Sequence, residues 1–183
     1  MRLFIAITFN EELKAQISLL MERLRPMALQ GSFTLKDNLH LTLIFIGETK
    51  RVEEVKLAMT KGISQANIGE FDLLIKGIGS FKRREGDIYW LGIEQNLDLL
   101  KLQKMLLKGL KEAGFYDIDD REYKPHLTLG RRVRMVDGFQ PKDLEVQEES
   151  MHQRVTKISL MSSERIKGRL VYTEIYHVDL DKC

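Results

Sequence analysis

The tetrapeptide His-Leu-Thr-Leu occurs twice in this chain, at residues 40–43 and 126–129. In a strand, side chains two positions apart share a face at a separation of about 6–7 Å. Each copy would therefore present an imidazole beside a hydroxyl, His40 with Thr42 and His126 with Thr128. Leu41 and Leu43, with Leu39 and Phe45, would form a core-facing stripe on the other side, as would Leu127 and Leu129. Two opposed imidazoles suit hydrolysis of a phosphodiester. A neutral ring takes a proton from water, a protonated ring supplies the departing oxygen, and an ordinary pKa of about 6.5 leaves both forms available at neutral pH. The two hydroxyls can donate to the non-bridging phosphate oxygens and hold the phosphorus between the rings. A 2',3'-cyclic phosphate fits such a site, because its strained ring needs only in-line attack and protonation of the ribose oxygen that leaves. That chemistry asks for no metal and no cofactor.

Coincidence is a poor account of the pair. With four histidines and eight threonines in 183 residues, two His-x-Thr spacings would arise by chance in about one chain in a hundred of this composition. The bland alternative is two sheet histidines retained by duplication and satisfied by polar neighbours. His152 and His177 have no such threonine and no repeat partner, and read as structural or surface residues.

The elements that must position these residues follow from the same repeat. The two segments lie 86 positions apart, and that offset also maps residues 3–9 (LFIAITF) onto 89–95 (YWLGIEQ), and Leu13, Leu20 and Leu24 onto Leu99, Leu106 and Leu110. Each half therefore reads as a strand, an amphipathic helix and an HLTL strand. Two copies make a duplicated lobe, since a solenoid needs three or more repeats. The expected fold is α+β: a bilobal, duplicated arrangement of two antiparallel sheets with helices packed outside and a pseudo-twofold central cleft. A helix is expected over 52–65 and a loop or short helix over 137–150. Further strands are expected over 70–78, 155–161 and 170–179, and the stretch SERIKGRL reads as a hairpin connection with Gly168 near its end. Three prolines and no low-complexity tract leave no linker, so residues 1–183 are expected to form a single two-lobed domain.

Composition narrows the setting. Hydrophobic residues at 43% and charged residues at 31% are those of a globular protein. No run approaches the roughly 20 apolar residues of a membrane span. Residues 3–9 are short and followed by Asn10-Glu11-Glu12 without a small-residue cleavage site, unlike a signal peptide. The single cysteine, Cys183, forms no intrachain disulfide and no thiolate cluster, as expected of a cytoplasmic protein. A net charge of +2 argues against wrapping duplex nucleic acid with a broad basic surface. Basic clusters at Lys82-Arg83-Arg84, Arg131-Arg132-Arg134 and Arg165, Lys167 and Arg169 each read as a solvated face or a local phosphate contact.

Competing chemistries lack their motifs. Catalytic zinc wants about three ligands, often including cysteine or carboxylate, and two symmetric histidines leave such a site underfilled. There is no GxSxG elbow and no GxxxxGK[ST] loop. The stretch Gly77-Ile78-Gly79-Ser80 lacks the third glycine of a dinucleotide fingerprint.

Paired HxTx segments in two similar halves resemble the two-histidine phosphoesterase superfamily. The opening MRLFIAI, the stretch NLHLTLIFIGE and the stretch YKPHLTLGR look like its LigT branch, the RNA 2',3'-cyclic phosphodiesterases historically named 2'-5' RNA ligases. The resemblance runs from Arg2 to about Asp179. It implies metal-independent hydrolysis of RNA-terminal cyclic phosphate to a 2'-phosphate. His40 would be the proton donor to the 3' oxygen, His126 the proton acceptor from water, and Thr42 and Thr128 the phosphate holders. The family's phosphate-binding arginine, five positions after the second histidine, corresponds to Arg131. Alternation from His126 instead places Arg132 on the site face, and a bulge at Gly130 would favour Arg131. The chain departs from many relatives at residues 33–38 (FTLKDN), where they carry proline or tryptophan. RNA with a 2',3'-cyclic phosphate end is the implied partner, with no membrane and no obligate protein partner, and reversible 2'-5' joining a side activity. Other readings are a phosphodiesterase of a small cyclic nucleotide or 2',5'-oligonucleotide, and a non-catalytic RNA-end binding module. Phe45, Phe81, Trp90 and Tyr123 are the aromatic candidates for stacking on a terminal base.

Overall fold

The computed structural model describes residues 1–141 and 151–182. Its first strand, β1 (Arg2–Thr8), is buried on both faces from Leu3 to Ile7, which its run of apolar, mostly branched residues dictates. Helix α1 (Glu11–Leu24) starts where the Asn10 side chain accepts the Leu13 amide at 2.8 Å. Its stripe of Leu13, Ile17, Leu20, Met21 and Leu24 is buried. Pro26 follows in a short 3-10 turn that ends the helix. Then come β2 (Ala28–Phe33), β3 (His40–Glu48), α2 (Val52–Ala66), β4 (Phe71–Phe81) and β5 (Asp87–Ile93). Helix α3 (Leu97–Glu112), β6 (His126–Met135), β7 (His152–Val155), β8 (Lys157–Ile166) and β9 (Arg169–Asp179) complete the order.

Helix α3 repeats the start of α1, with the Asn96 side chain accepting the Leu99 amide at 2.8 Å. Asparagine caps helices well because its carbonyl oxygen satisfies an amide that has no partner within the helix. Helices α2 and α3 approach closely through two glycines: a Cβ on Gly109 would stand 2.8 Å from the Ala58 carbonyl oxygen, and one on Gly62 3.0 Å from the Leu106 Cα.

All strands named above pair antiparallel in two sheets, ordered β3-β1-β8-β9 and β2-β6-β5-β4-β7. The orders β3-β1-β8-β9 and β6-β5-β4-β7 correspond, with β2 added outside β6. The α+β fold of two antiparallel sheets is thus as the repeat implies, but the halves exchange strands. Strand β4 joins the second sheet, while β8 and β9 complete the first. The apolar faces of both sheets and all three helices merge into one core, in which Leu3, Ile5 and Ile7 of β1 meet Leu41, Leu99 and Leu127. A small second cluster of Phe4, Ala6 and Met161, with Tyr172, lies on the other side of the first sheet.

The structure corrects several boundaries. His40 pairs with Thr8 and Thr42 with Ala6, while His126 pairs with Gly92 and Thr128 with Trp90. Strands β1 and β5 therefore correspond with an offset of 84, although the HLTL strands and the caps Asn10 and Asn96 keep 86. The connection from strand to helix has gained two residues, so the second copy spans Asp87–Ile93 and not 89–95. Strands β2 and β7 escape the sequence reading, because β2 is exposed along most of its length and β7 has four residues. The SERIKGRL connection shrinks to Lys167 and Gly168, both with positive φ, 49° and 81°, between the paired Ile166 and Arg169, as a two-residue hairpin requires. Of the loop expected over 137–150, residues 142–150 lie outside the described residues, as does Cys183. No helix among the described residues is long and apolar enough to cross a membrane.

Candidate active site

Strands β3 and β6 bring His40, Thr42, His126, Thr128 and Arg131 to one cleft of about 440 Å³. Each histidine is oriented in the same way. The His40 Nδ1 lies 2.7 Å from the Asn38 carbonyl oxygen and the His126 Nδ1 2.7 Å from the Lys124 carbonyl oxygen. A carbonyl only accepts, so each Nδ1 carries a proton and each Nε2 is left for chemistry. The His40 Nε2 lies 2.9 Å from the Thr42 hydroxyl, which donates to it when the ring is neutral.

A duplicated bulge shapes the cleft. Ala6 pairs with Thr42 but Ile5 with Ile44, leaving Leu43 as the extra residue. Trp90 pairs with Thr128 but Tyr89 with Gly130, leaving Leu129 extra in the same way. A bulge reverses the alternation of faces beyond it. Phe45, expected in the core-facing stripe, is accordingly 45% exposed and lines the cleft. Arg131 lines the cleft at the equivalent position of the second lobe. Arg132, which unbroken alternation would place on the site face, has φ of 55° and pairs with Glu85 at 3.4 Å, away from the cleft lining. The bulge lies one residue before Gly130, and Thr34 closes it by donating its backbone amide to the Leu129 carbonyl at 2.8 Å.

The surroundings of the two rings differ. His40 packs against Phe4 and Tyr172, with ring centroids 4.9 and 5.2 Å away. Burial lowers its pKa, the Asn38 carbonyl opposes that, and the positive charge of Arg131 lowers it further. His126 instead meets the edge of Phe81 at 5.1 Å, with Trp90 at 6.5 Å. Burial raises the pKa of Tyr172, against the positive charges of Arg131 and Arg2. The Arg131 charge on the second sheet thus acts on two rings of the first sheet, across the cleft.

The sequence reading missed Arg2, Phe4, Thr34, Asn38 and Tyr172, all of which line the cleft. Thr34 and Asn38 fall within residues 33–38, between β2 and β3. Period-two spacing from Phe4 could have found the Phe4 and Ala6 face, but nothing local marks Tyr172. Among the aromatic candidates, Phe45 is in the cleft lining, with the Arg2 guanidinium 4.9 Å from its ring centroid. Tyr123 instead donates its hydroxyl to the Thr42 carbonyl at 2.9 Å. Burial pushes its pKa well above the ordinary phenol value, which keeps it a donor. His177 bonds Glu174 at 3.1 Å through Nδ1, and His152 is exposed on β7. Among the described residues no three His, Cys, Asp or Glu side chains cluster as a metal ion would require.

The chain and its fold have close parallels among known proteins. The family model described as "2'-5' RNA ligase superfamily" matches residues 11–167. An RNA 2',3'-cyclic phosphodiesterase of Thermotoga maritima is 28% identical over 184 residues, covering 99% of this chain and 96% of the relative. One of Methanothermobacter thermautotrophicus is 30% identical, covering 95% and 96%. The crystal structure of E. coli LigT complexed with 3'-AMP superposes with a TM-score of 0.78 at 28% identity, covering 99% of this chain and 98% of that one.

Proposed function

The chain belongs to the 2'-5' RNA ligase superfamily, and from that membership and the chemistry of the cleft we propose that it hydrolyses RNA-terminal 2',3'-cyclic phosphates. Residues 1–183 act as one two-lobed phosphoesterase unit, and the absence of a second cysteine to pair with Cys183 suits work in the cytoplasm. The observation that carries this reading is the convergence of two identically oriented histidines, two threonines and one arginine on one cleft.

In the proposed reaction, His126 Nε2 takes a proton from water, the water oxygen bonds to phosphorus, and the bond to the ribose 3' oxygen breaks. His40 Nε2 gives its proton to that oxygen, leaving a 2'-phosphomonoester. Thr42, Thr128 and Arg131 hold the non-bridging oxygens, whose charge is greatest in the transition state. The neutral form of His40 is favoured in the free cleft by burial and by Arg131. The phosphate anion offsets the Arg131 charge, so substrate binding itself favours a protonated His40. Phe45 and Arg2, stacked on the first-lobe side, suit the terminal base.

The lowered pKa of His40 also supports the reverse assignment, in which His40 accepts from water and His126 donates. Both assignments are hydrolytic, and for a substrate held in one orientation they differ in the phosphate position of the product. The deciding experiment incubates the protein with a cyclic-phosphate-ended oligonucleotide in excess chelator. The expected product is a 2'-phosphate; a 3'-phosphate would reverse the roles, and no turnover in chelator would overturn metal-independent hydrolysis.

A further inference from the structure

Strand β2 breaks the symmetry of the two lobes, because it adds an edge to the second sheet that the first sheet lacks. Its register places Ser32 opposite Arg131 and Gln30 opposite Arg134. Residues directly opposite in an antiparallel pair share a face, so Ser32 and Gln30 continue the face that bears Arg131. Arg134 lies three positions after Arg131, which by alternation would put them on opposite faces. A second bulge, where Gln30 and Ser32 span Arg131 to Arg134 on β6, returns Arg134 to the Arg131 side. The result is a polar, exposed ledge that leaves the cleft along β2 and β6.

Beside the β4–β5 hairpin, where β6 reaches Arg134, lies a separate groove of about 420 Å³ whose lining includes Lys82, Arg83, Arg84 and Arg134, with Asp87 and Asp137 and the core-side Tyr89 and Val133. Asp87 is held by Lys82 at 2.7 Å, and Glu85 by Arg132 at 3.4 Å. Arg84 and Arg134 are exposed and make no ion pair among the described residues. Arg131 and Arg134 are at most about 10 Å apart along the strand, which is within reach of neighbouring phosphates on one extended strand.

We propose that this ledge and groove bind the sugar-phosphate backbone of the nucleotides that precede the cyclic end, with Arg134 and Arg84 taking phosphates. The inference rests on the reading of the cleft given above and extends it: the preferred substrate is a single-stranded oligonucleotide and not a mononucleotide. It also gives the strand a direction, since the phosphate-binding arginine and the ledge belong to the second lobe while Phe45 belongs to the first.

The test uses the charge-reversed protein Arg84→Glu/Arg134→Glu, whose two changes lie on exposed side chains outside the catalytic cleft. Two measurements are made: binding of a labelled single-stranded oligonucleotide, and kcat/KM for a nucleoside 2',3'-cyclic phosphate against an oligonucleotide with the same end. The wild-type protein should prefer the oligonucleotide by about tenfold or more. The variant should lose at least most of that preference, keep its mononucleotide rate within about twofold, and bind the labelled strand about tenfold or more weakly. The slope of log affinity against log salt should fall by about 1.4, the loss of two phosphate contacts on single-stranded nucleic acid. Unchanged strand binding and an unchanged salt slope in the variant overturn the track. A protein that binds the strand as expected but hydrolyses neither substrate overturns the reading of the cleft and leaves the track standing.

Discussion

Phe45 and Arg131 stand at equivalent positions of the two lobes, each five residues beyond a histidine and each turned into the cleft by a bulge at the leucine two residues before it. One bulge thus delivers an aromatic face and the other a fixed cation to the same site. The asymmetry of the cleft begins there.

That relationship predicts different losses. Arg131→Ala should lower kcat/KM by about 10²- to 10³-fold, as removal of a donor to the developing charge does. Arg132→Ala, outside the cleft, should stay within about threefold. Phe45→Ala should raise KM for a nucleoside cyclic phosphate by about tenfold with kcat little changed, in line with about 1–3 kcal/mol for one base stacked on an aromatic ring. Steady-state kinetics on the three variants checks all of this, and equal losses for Arg131 and Arg132 would refute the bulge as the deciding feature.

His40→Ala and His126→Ala should each lose about 10²- to 10⁴-fold in kcat with the fold intact by circular dichroism. Removing both should cost far less than the product of the single losses, because the pair acts as a unit. A double variant whose losses multiply would mean that the rings work independently.

Burial and Arg131 lower the pKa of His40, and the sign of the stability effect follows. The unfolded chain takes up this proton near pH 6.5, before the folded protein does, so the contribution is whole above that pH. It is lost as the pH falls from about 6.5 through the folded value. Urea denaturation at pH 8 and pH 5.5 should show a smaller decline for His40→Gln than for the wild type. In kinetics, a limb of kcat/KM belonging to His40 should move to higher pH in Arg131→Ala, since a lowering charge is removed. A donor role makes it the alkaline limb, an acceptor role the acidic one.

Tyr123 donates to the carbonyl of Thr42 from the segment just before His126, tying one HLTL strand to the approach of the other. Tyr123→Phe leaves that carbonyl without its partner and should cost about 1–3 kcal/mol. Thermal unfolding would show a lower Tm, and kcat should fall with it because Thr42 is the hydroxyl beside His40. Wild-type stability with reduced kcat would place Tyr123 in positioning alone.

Much of this protein was legible without coordinates. The repeated HLTL segments, the helix stripes at Leu13 and Leu99 and the leucine faces of the strands are local periodic patterns, each read within a dozen residues. They settle the fold class, the duplication and the candidate quartet of two histidines and two threonines. The asparagine caps at positions 10 and 96 obey the same offset because a cap depends only on its own helix.

The features that remained hidden are relations between strands. A bulge exists only against a partner ladder, so the sequence of β6 could not choose between Arg131 and Arg132, nor that of β3 turn Phe45 outward. The offset of 84 between β1 and β5, against 86 for the HLTL strands and the helices, is likewise visible only in the register. Tyr172 reaches His40 because β8 and β9 join the sheet of β1, an exchange that periodicity along one chain segment does not record. Sequence determined which side chains could do the chemistry; hydrogen-bond register between distant segments decided which of their neighbours stand beside them.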